Sequence, residues 1–286
     1  MSKVAVVGAG VIGIGWAKLF ARGGWAVALA DPRPDLAQII DDQLGGLAVT
    51  GFAEAGMAAD GADYVQEAGP ERIDFKHKIF AELAGVTGDD VVLASSSSSL
   101  LPSQIAHGSP AAARILIGHP FNPADLMPLV EVVPGSETSD TAMDRAMQVY
   151  RELGKTPIRL KSEIPGFVGN RLQKVFNDQA MYLVQQGVIA AKDLDDLVTA
   201  SLGLRWATIG PFEGMNLGGG PAGIRHLMEN VGSQMTFEIG SPDPTKIGAV
   251  VAQVDAAYGT GEQNYERAVQ ARDSDTRKIL DALGKG

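Results

Sequence analysis

The sequence contains no cysteine. This absence excludes a disulfide framework, a zinc–thiolate cluster and a thiol nucleophile. A chain without cysteine is typical of a reducing compartment, so we expect a cytoplasmic protein. We predict no metal site.

Basic residues are also scarce, because 24 Lys and Arg stand against 34 Asp and Glu and give a formal net charge of -10. A nucleic-acid backbone is bound by clustered Lys and Arg, so we expect no nucleic-acid partner. No apolar run reaches the roughly 20 residues that a membrane-spanning helix needs. Near the N-terminus, Lys18 and Arg22 interrupt the apolar run, and several glycines would break a signal helix. We therefore expect neither membrane insertion nor export.

A glycine-rich motif, Gly8-Ala9-Gly10-Val11-Ile12-Gly13, follows an apolar run at residues 3–7 and precedes a helical pattern. A strand, glycines at this spacing and a helix are together typical of a dinucleotide site. Gly8 permits the tight turn, Gly10 lets the backbone approach the pyrophosphate, and Gly13 allows close packing of the helix on the strand. The helix N-terminus offers unpaired N–H groups to the phosphates. The motif therefore predicts a bound dinucleotide.

An acidic residue, Asp31, ends the second predicted strand at residues 25–30. A carboxylate at this place accepts hydrogen bonds from the adenosine ribose hydroxyls, and its charge repels a 2′-phosphate. Asp31 therefore favours NAD over NADP. Arg33 is the contrary indication, because a nearby arginine serves a 2′-phosphate in NADP enzymes.

Strand and helix patterns alternate as far as residue 160, which is typical of a parallel sheet. After Lys161 the pattern changes to helices, predicted at 165–186, 192–202, 221–230, 245–257 and 263–283. We therefore predict an α/β N-terminal Rossmann domain at residues 1–162, with a doubly wound, mostly parallel sheet, and an all-α C-terminal domain at residues 163–286. The strands are predicted at 3–7, 25–30, 64–65, 91–94, 115–118, 129–133 and 157–160.

His119 follows the strand predicted at 115–118, at the carboxyl end where open α/β sheets place their ligands. Glu131 lies on the next predicted strand, where a buried carboxylate needs a partner. The pair suits alcohol oxidation, because imidazole takes the hydroxyl proton as hydride leaves and the carboxylate orients and stabilises the imidazolium. A purely structural histidine is the alternative, since spacing alone does not show that the two side chains touch.

Further motifs occur in a fixed order along the chain. They are Glu67-Ala68-Gly69-Pro70-Glu71 with Lys76, Ser97-Ser98-Ser99-Leu100, Gly118-His119-Pro120-Phe121-Asn122-Pro123, Pro165-Gly166-Phe167-Val168-Gly169-Asn170-Arg171, and Gly203-Leu204-Arg205-Trp206 before Gly210-Pro211-Phe212-Glu213. With these motifs the sequence resembles the 3-hydroxyacyl-CoA dehydrogenase superfamily over nearly its whole length. The resemblance is greatest to the λ-crystallin/L-gulonate 3-dehydrogenase and carnitine dehydrogenase branches.

The resemblance implies a role for each matching residue. His119 is the implied general base, Glu131 its orienting partner, and Ser98 and Asn170 hydrogen-bond the substrate oxygen. From residue type alone, the serine tract is equally a polar turn and Asn170 a helix cap. The resemblance further implies cofactor contacts, with the nicotinamide half from Glu71 and Lys76 and with the pyrophosphate from Val11 and Ile12.

Two departures from the acyl-CoA branch predict a free, polar 3-hydroxy acid as the substrate. The segment between Asp31 and the strand predicted at 64–65 is much shorter than the helical excursion that the resemblance associates with CoA binding. Arg205 stands where that branch has no arginine, and a guanidinium binds a carboxylate through two parallel hydrogen bonds. A 3-hydroxyacyl-CoA thioester is the alternative substrate, and a surface arginine the alternative interpretation of Arg205.

The resemblance also implies a homodimer formed through the helical domain. Val168, Leu172, Val175 and Phe176 form a broad apolar stripe on the helix predicted at 165–186, although packing within one chain explains such a stripe equally well. A non-catalytic, crystallin-like NAD-binding protein is the alternative to an enzyme. The joint presence of the four implied catalytic residues favours the enzyme.

Overall fold

The computed structural model describes residues 1–234 and 236–284. The chain divides into two compact units, Met1–Arg171 and Leu172–Gly286, and each is described by itself. Met235, Lys285 and Gly286 of the predicted second domain lie outside the described residues.

The boundary predicted after residue 162 precedes this division, because residues 163–171 contact the first unit. The Ser103 backbone N–H donates to the Glu163 carboxylate at 3.0 Å. The Val168 backbone N–H donates to the Glu131 carboxylate at 3.0 Å. Both contacts attach the segment to the sheet and its helices.

Eight strands form one sheet in the first unit: β1 (Lys3–Val7), β2 (Ala26–Ala30), β3 (Val49–Phe52), β4 (Tyr64–Glu67), β5 (Val92–Ser95), β6 (Ile115–Pro120), β7 (Leu129–Pro134) and β8 (Thr156–Arg159). Their order across the sheet is β3-β2-β1-β4-β5-β6-β7-β8. Neighbouring strands are parallel except β6 and β7, which are antiparallel. The chain reverses its winding direction between β1 and β4, which is the switch point of a doubly wound sheet.

Six α-helices accompany the sheet: α1 (Val11–Arg22), α2 (Leu36–Leu44), α3 (Ala55–Ala59), α4 (Ile73–Val86), α5 (Pro102–Ala106) and α6 (Asp140–Glu152). One buried hydrophobic cluster includes Trp16 of α1 and Tyr150 of α6, and a second includes Phe80 of α4 and Ile105 of α5. Because alternate residues of the strands divide between the two clusters, helices cover both faces of the sheet. The predicted doubly wound α/β fold is confirmed.

The predicted strands form within two residues of their expected ends, and two features differ. β3 was not predicted, because it is a short edge strand with no buried residue and contains Gly51. β6 was predicted to end at residue 118 but continues through Pro120, because its last residues still pair with β7. His119 therefore lies within a strand and not after it.

All the regular secondary structure in the described residues of the second unit is helical. Its α-helices are α7 (Gly169–Gln185, beginning in the first unit), α8 (Ala191–Val198), α9 (Leu204–Thr208), α10 (Pro211–Gly218), α11 (Gly223–Glu229), α12 (Ile247–Tyr258) and α13 (Glu262–Ala282). A π-helical turn, Thr199–Gly203, joins α8 to α9, and short 3-10 turns occupy Gly220–Ala222, Gly232–Gln234 and Pro244–Lys246. The predicted all-α character is confirmed.

Helix α7 begins later than the predicted residue 165. Gly166 has a φ of +78° and Phe167 a φ of +48°, so the chain turns here instead of continuing a helix. Phe167 is fully buried and packs its ring 5.4 Å from that of His119. The prediction missed this because an apolar residue after a glycine also fits a helical pattern. Helices α9 and α10 were not predicted.

The hydrophobic core of the helical unit is small in its described residues. Its buried members are Val184, Ala191 and Leu194. Large apolar side chains such as Leu172 and Phe212 are 65% and 75% exposed. Among the described residues, no helix combines the length and the apolar character needed to span a membrane.

Candidate active site

The turn between β1 and α1 has the shape that its glycines permit. Gly8 has a φ of +106°, and a Cβ there would lie 2.6 Å from the Ala68 carbonyl oxygen. A Cβ on Gly13 would lie 1.8 Å from the Gly8 carbonyl oxygen, so only glycine allows this close approach. A Cβ on Gly10 would meet nothing within 4 Å, which leaves open space beside the start of α1. The turn therefore fits a pyrophosphate bound by the backbone N–H groups, next to Val11.

A cleft of about 930 Å³ adjoins this turn. Gly8, Gly10 and Asp31 line it together with Phe75 and Ile79 of α4. It lies at the carboxyl ends of β1, β2 and β4, where a sheet with this strand order binds a dinucleotide. Sequence reasoning missed the apolar wall, because Phe75 and Ile79 look like ordinary inward-facing helix residues.

Asp31 is fixed at the wall of this cleft by its own neighbours. Its Oδ2 accepts a hydrogen bond from the Ala9 backbone N–H at 2.7 Å, and its Oδ1 accepts one from the Arg33 backbone N–H at 3.1 Å. The Arg33 guanidinium instead donates to Asp35, at 2.7 Å and 2.9 Å. The carboxylate therefore faces the cleft, while the nearby cation is paired with another acid.

NAD is expected to support turnover far better than NADP, and Asp31→Ser is expected to narrow the difference, because serine removes the charge that repels a 2′-phosphate. The measurement is kcat/KM with each cofactor. The matched control is Asp42→Ser, which removes an exposed acid of α2, leaves the Arg33–Asp35 pair intact and is expected to leave the ratio unchanged. A wild-type preference for NADP would contradict the interpretation of Asp31.

His119 and Glu131 form a buried pair on adjacent strands. They lie directly opposite each other in the antiparallel register of β6 and β7. The His119 Nδ1 is 2.9 Å from the Glu131 Oε2, and the two residues are 5% and 2% exposed. Because an ionised carboxylate only accepts hydrogen bonds, the imidazole proton lies on Nδ1. The other ring nitrogen, Nε2, is then a proton acceptor.

Three donors hold the Glu131 carboxylate in its ionised form. Burial alone would raise the pKa of Glu131, but hydrogen bonds from His119 and from the Gly169 and Val168 backbone N–H groups outweigh it and hold the pKa below its usual value. Both N–H groups donate to Oε1 at 3.0 Å. The fixed negative charge favours the imidazolium that forms when His119 takes up a proton.

The Asn170 side chain lies against the backbone of Ser98. The Asn170 side-chain amide donates to the Ser98 carbonyl oxygen at 3.3 Å. Ser98 lies on the exposed turn after β5. Asn170 directly follows Gly169, whose backbone N–H binds Glu131. A continuous set of contacts therefore connects all four implied catalytic residues.

Lys76 is almost fully buried, with an exposed fraction of 1%. Its ammonium donates to both oxygens of Glu67 at 2.8 Å and to the Gly69 carbonyl oxygen at 3.2 Å. These three contacts match the three N–H donors of the ammonium, and the cofactor contact implied for Lys76 stays a prediction. Burial raises the pKa of Glu67 although Lys76 opposes the shift. Apart from a charge at the end of a buried strand, no pattern in the sequence indicates this pair.

A second buried lysine, Lys155, supports the segment between β6 and β7. Its ammonium donates to the carbonyl oxygens of Ala124 at 2.6 Å and Met127 at 2.8 Å. Burial lowers the pKa of Lys155 to about 8, although the charge of Asp125 partly opposes the shift. The lysine holds both halves of the segment that connects the strands of His119 and Glu131. Sequence reasoning did not identify it.

Lys155 is expected to make stability depend on alkaline pH. Its pKa is about 8 in the fold against 10.5 in the unfolded chain, so the unfolded chain binds more protons between these values. The free energy of unfolding that this group contributes therefore rises with pH across that window. In urea unfolding, the free energy of unfolding of the wild type should increase relative to that of Lys155→Met as the pH rises. The exposed Lys161→Met should show no such shift, and a constant difference for Lys155→Met would refute the assignment.

Arg205 lies on α9 in the helical unit and is exposed. Its carbonyl oxygen accepts the backbone N–H of Ile209 at 2.9 Å and the hydroxyl of Thr208 at 2.8 Å. The backbone of Arg205 is therefore held in a short, hydrogen-bonded helical turn, and its side chain is exposed.

Two family models match the chain. The NAD binding domain of 3-hydroxyacyl-CoA dehydrogenase matches residues 3–56 and 47–163. The C-terminal domain of 3-hydroxyacyl-CoA dehydrogenase matches residues 166–245. The resemblance inferred from the ordered motifs is thereby confirmed.

Curated relatives and a solved structure agree with these matches. A 3-hydroxyacyl-CoA dehydrogenase of Gibberella moniliformis is 42% identical over 80% of this chain and 77% of its own length. An L-carnitine dehydrogenase of a Pseudomonas species is 33% identical over 98% of this chain and 93% of its own length. The crystal structure of a 5-formyl-3-hydroxy-2-methylpyridine 4-carboxylic acid 5-dehydrogenase, an NAD+-dependent dismutase, matches with a TM-score of 0.78 and 27% identity, covering 99% of this chain and 98% of that one.

The matched domains span both units, and the turn, the cleft and Asp31 fit the dinucleotide that the first of them binds. The chain therefore belongs to the 3-hydroxyacyl-CoA dehydrogenase family and is an NAD-dependent dehydrogenase.

Proposed function

We propose that the protein interconverts a free, polar 3-hydroxy acid, similar to gulonate or carnitine, and its 3-oxo product. The observation that carries the proposal is the buried His119–Glu131 pair, in which Nδ1 is held at 2.9 Å and Nε2 is left to accept a proton. NAD, when bound, accepts the hydride that leaves C3. His119 takes the proton of the 3-hydroxyl group, and Glu131 stabilises the resulting imidazolium.

Ser98 and Asn170 are proposed to hydrogen-bond the substrate oxygen as it becomes a carbonyl. The contact between them supports this assignment, because the Asn170 side chain binds the Ser98 backbone carbonyl and so brings residues of two different segments to one place. Gly8, Gly10, Gly13, Val11 and Ile12 are proposed to bind the pyrophosphate through the start of α1. Asp31 is proposed to bind the adenosine ribose.

Two observations support a free acid. The L-carnitine dehydrogenase relative matches almost the whole chain. Between Asp31 and β4 the chain forms only α2, β3 and α3, which leaves little surface for a long CoA chain. The 42% identical relative named 3-hydroxyacyl-CoA dehydrogenase supports the second candidate, a CoA thioester.

A substrate panel separates the two candidates. Free 3-hydroxy and 3-oxo acids and their CoA thioesters would be assayed by the absorbance of the reduced cofactor. We expect a free acid to give the highest kcat/KM. Faster turnover of acetoacetyl-CoA than of every free acid would reject the free-acid proposal in favour of the thioester.

Arg205 is proposed to bind the substrate carboxylate. Loss of a bidentate, charge-assisted contact costs on the order of 2–5 kcal/mol, so Arg205→Met is expected to raise KM for acids by at least about tenfold with little change in kcat. Arg225→Met, an exposed arginine of α11, is the matched control and should leave KM unchanged. Unchanged acid kinetics in Arg205→Met would remove this residue from the site.

The helical domain, proposed at residues 163–286, is also proposed to form a homodimer. The small core of its described residues and its many exposed large apolar side chains support this, because subunit interfaces cover apolar surface of this kind. Sedimentation at several concentrations tests it, and a monomer at all concentrations would contradict it.

A cytoplasmic location is proposed from the absence of cysteine.

A further inference from the structure

The Glu71 carboxylate lies at the centre of the turn that follows β5. Its Oε1 accepts hydrogen bonds from the backbone N–H groups of Ser98 at 3.0 Å, Ser99 at 2.8 Å and Leu100 at 3.3 Å. The hydroxyl groups of Ser97 and Ser99 donate to the same oxygen at 2.5 Å and 2.9 Å. Successive backbone N–H groups that converge on one point form an anion-binding concavity, and here the anion belongs to the chain itself.

Buried charges hold Glu71 from the other side. Its Oε2 lies 3.8 Å from the Lys76 ammonium, which is bound in turn to Glu67. Glu67 also accepts a hydrogen bond from the Ser95 hydroxyl at 2.7 Å. Through Glu67 and Lys76, the end of β5 is therefore connected to Glu71 and to the turn that follows this strand. Burial alone would raise the pKa of Glu71, but the hydrogen bonds from Ser97 and Ser99 and the charge of Lys76 lower it, so the group is ionised at neutral pH.

We propose that Glu71 is a positioning residue that fixes the turn at residues 97–100 and thereby places Ser98 for catalysis. The inference rests on the proposed function in one respect, the contact of Ser98 with substrate. Glu71 reaches Asn170 by the same route, because the Ser98 carbonyl oxygen accepts the Asn170 amide. All five donors converge on Oε1, and Oε2 accepts no hydrogen bond among the described residues, so the affinity for NAD separates this role from the implied contact with the nicotinamide half.

Hydrogen exchange of the cofactor-free protein tests the anchoring without any assay of activity. In Glu71→Ala, amide exchange in a peptide covering residues 96–101 is expected to rise by about tenfold or more, as the loss of charge-assisted hydrogen bonds implies. Glu71→Gln keeps one carbonyl oxygen and should show a smaller rise. Asp74→Ala is the matched control, because it removes an exposed acid three residues away that pairs with Arg72. Unchanged exchange in both Glu71 variants would overturn the proposal.

A double-mutant cycle tests whether the anchoring acts through Ser98. Glu71→Ala is expected to lower kcat by about 10- to 100-fold, because a small displacement of a positioned group has effects of this size. The dissociation constant for NAD should change by less than about threefold. In a Ser98→Ala background the same replacement should cost less than about threefold, because its target is already absent. A full effect in that background, or a large loss of NAD affinity, would overturn the proposal.

A failure of this inference can be distinguished from a failure of the proposed function. If the wild type oxidises no 3-hydroxy acid or thioester, the proposed function is wrong, whereas the exchange experiment still decides whether Glu71 holds the turn. If Glu71→Ala does not fold, the nearly isosteric Glu71→Gln carries both measurements with the same expected direction.

Discussion

Replacing His119 by alanine is expected to lower kcat by about 100- to 10,000-fold, while the dissociation constant for NAD changes little. Loss of a positioned general base has effects of this size. NAD affinity should survive because the cleft beside the turn after β1 is lined by Gly8, Gly10 and Asp31 and by no residue of β6. Steady-state kinetics of the wild type and of His119→Ala gives kcat, and titration of NAD into each protein gives the dissociation constant.

The matched control for this variant is His107→Ala, which removes an exposed histidine at the end of α5. Its kcat should equal that of the wild type. Most of the activity surviving in His119→Ala would mean that this histidine is structural, packed between the rings of Phe121 and Phe167. If circular dichroism shows that His119→Ala is not folded, His119→Gln would be measured in its place, because glutamine keeps a polar side chain of similar length.

Glu131→Gln is expected to reduce kcat on the order of 10³- to 10⁴-fold, through the wrong imidazole tautomer. A glutamine that turns its amide oxygen to the Val168 and Gly169 N–H groups presents its NH₂ group to the His119 Nδ1. Nδ1 then becomes an acceptor, the imidazole proton moves to Nε2, and Nε2 loses its ability to act as a base. Kinetics of the variant measures the effect.

The control for this prediction is Glu137→Gln, an exposed acid on the segment after β7. NMR of the imidazole nitrogens adds a direct test, because the two tautomers give different Nδ1 and Nε2 shifts. Observation of the same tautomer in wild type and Glu131→Gln would contradict the explanation even if activity falls.

The sequence predicted those parts of the fold that depend on local pattern. Apolar runs identified β1, β2 and the later strands, and the glycine spacing identified the cofactor turn, because only glycine fits at Gly8 and Gly13. β3 escaped prediction because its exposed residues carry no apolar pattern. The turn at Gly166 and Phe167 escaped because positive φ angles leave no periodic trace in the sequence.

The contacts within the candidate site were not predictable from the sequence. His119 and Glu131 were paired by chemical reasoning, but only the antiparallel register of their strands brings them together. Lys155 was not identified and the Glu67–Lys76 ion pair was not predicted, because carbonyl-oxygen partners and a pairing of residues nine positions apart leave no local pattern in the sequence. The assignment of Lys76 to the cofactor came from resemblance alone and stays a prediction, to which the structure adds the burial of this residue and its contact with Glu67.

The reversal of direction at β7 has a consequence for how this pair tolerates changes in chain length. In an all-parallel sheet the strand after β6 would start at the opposite edge, and a carboxylate near its beginning would lie a strand length away from His119. Here β6 and β7 are consecutive antiparallel strands, so their pairing alone places His119 opposite Glu131. An insertion within residues 121–128 is harmless only while the pairing of β6 with β7 is kept, because a slip of one residue would move Glu131 to the other face of the sheet.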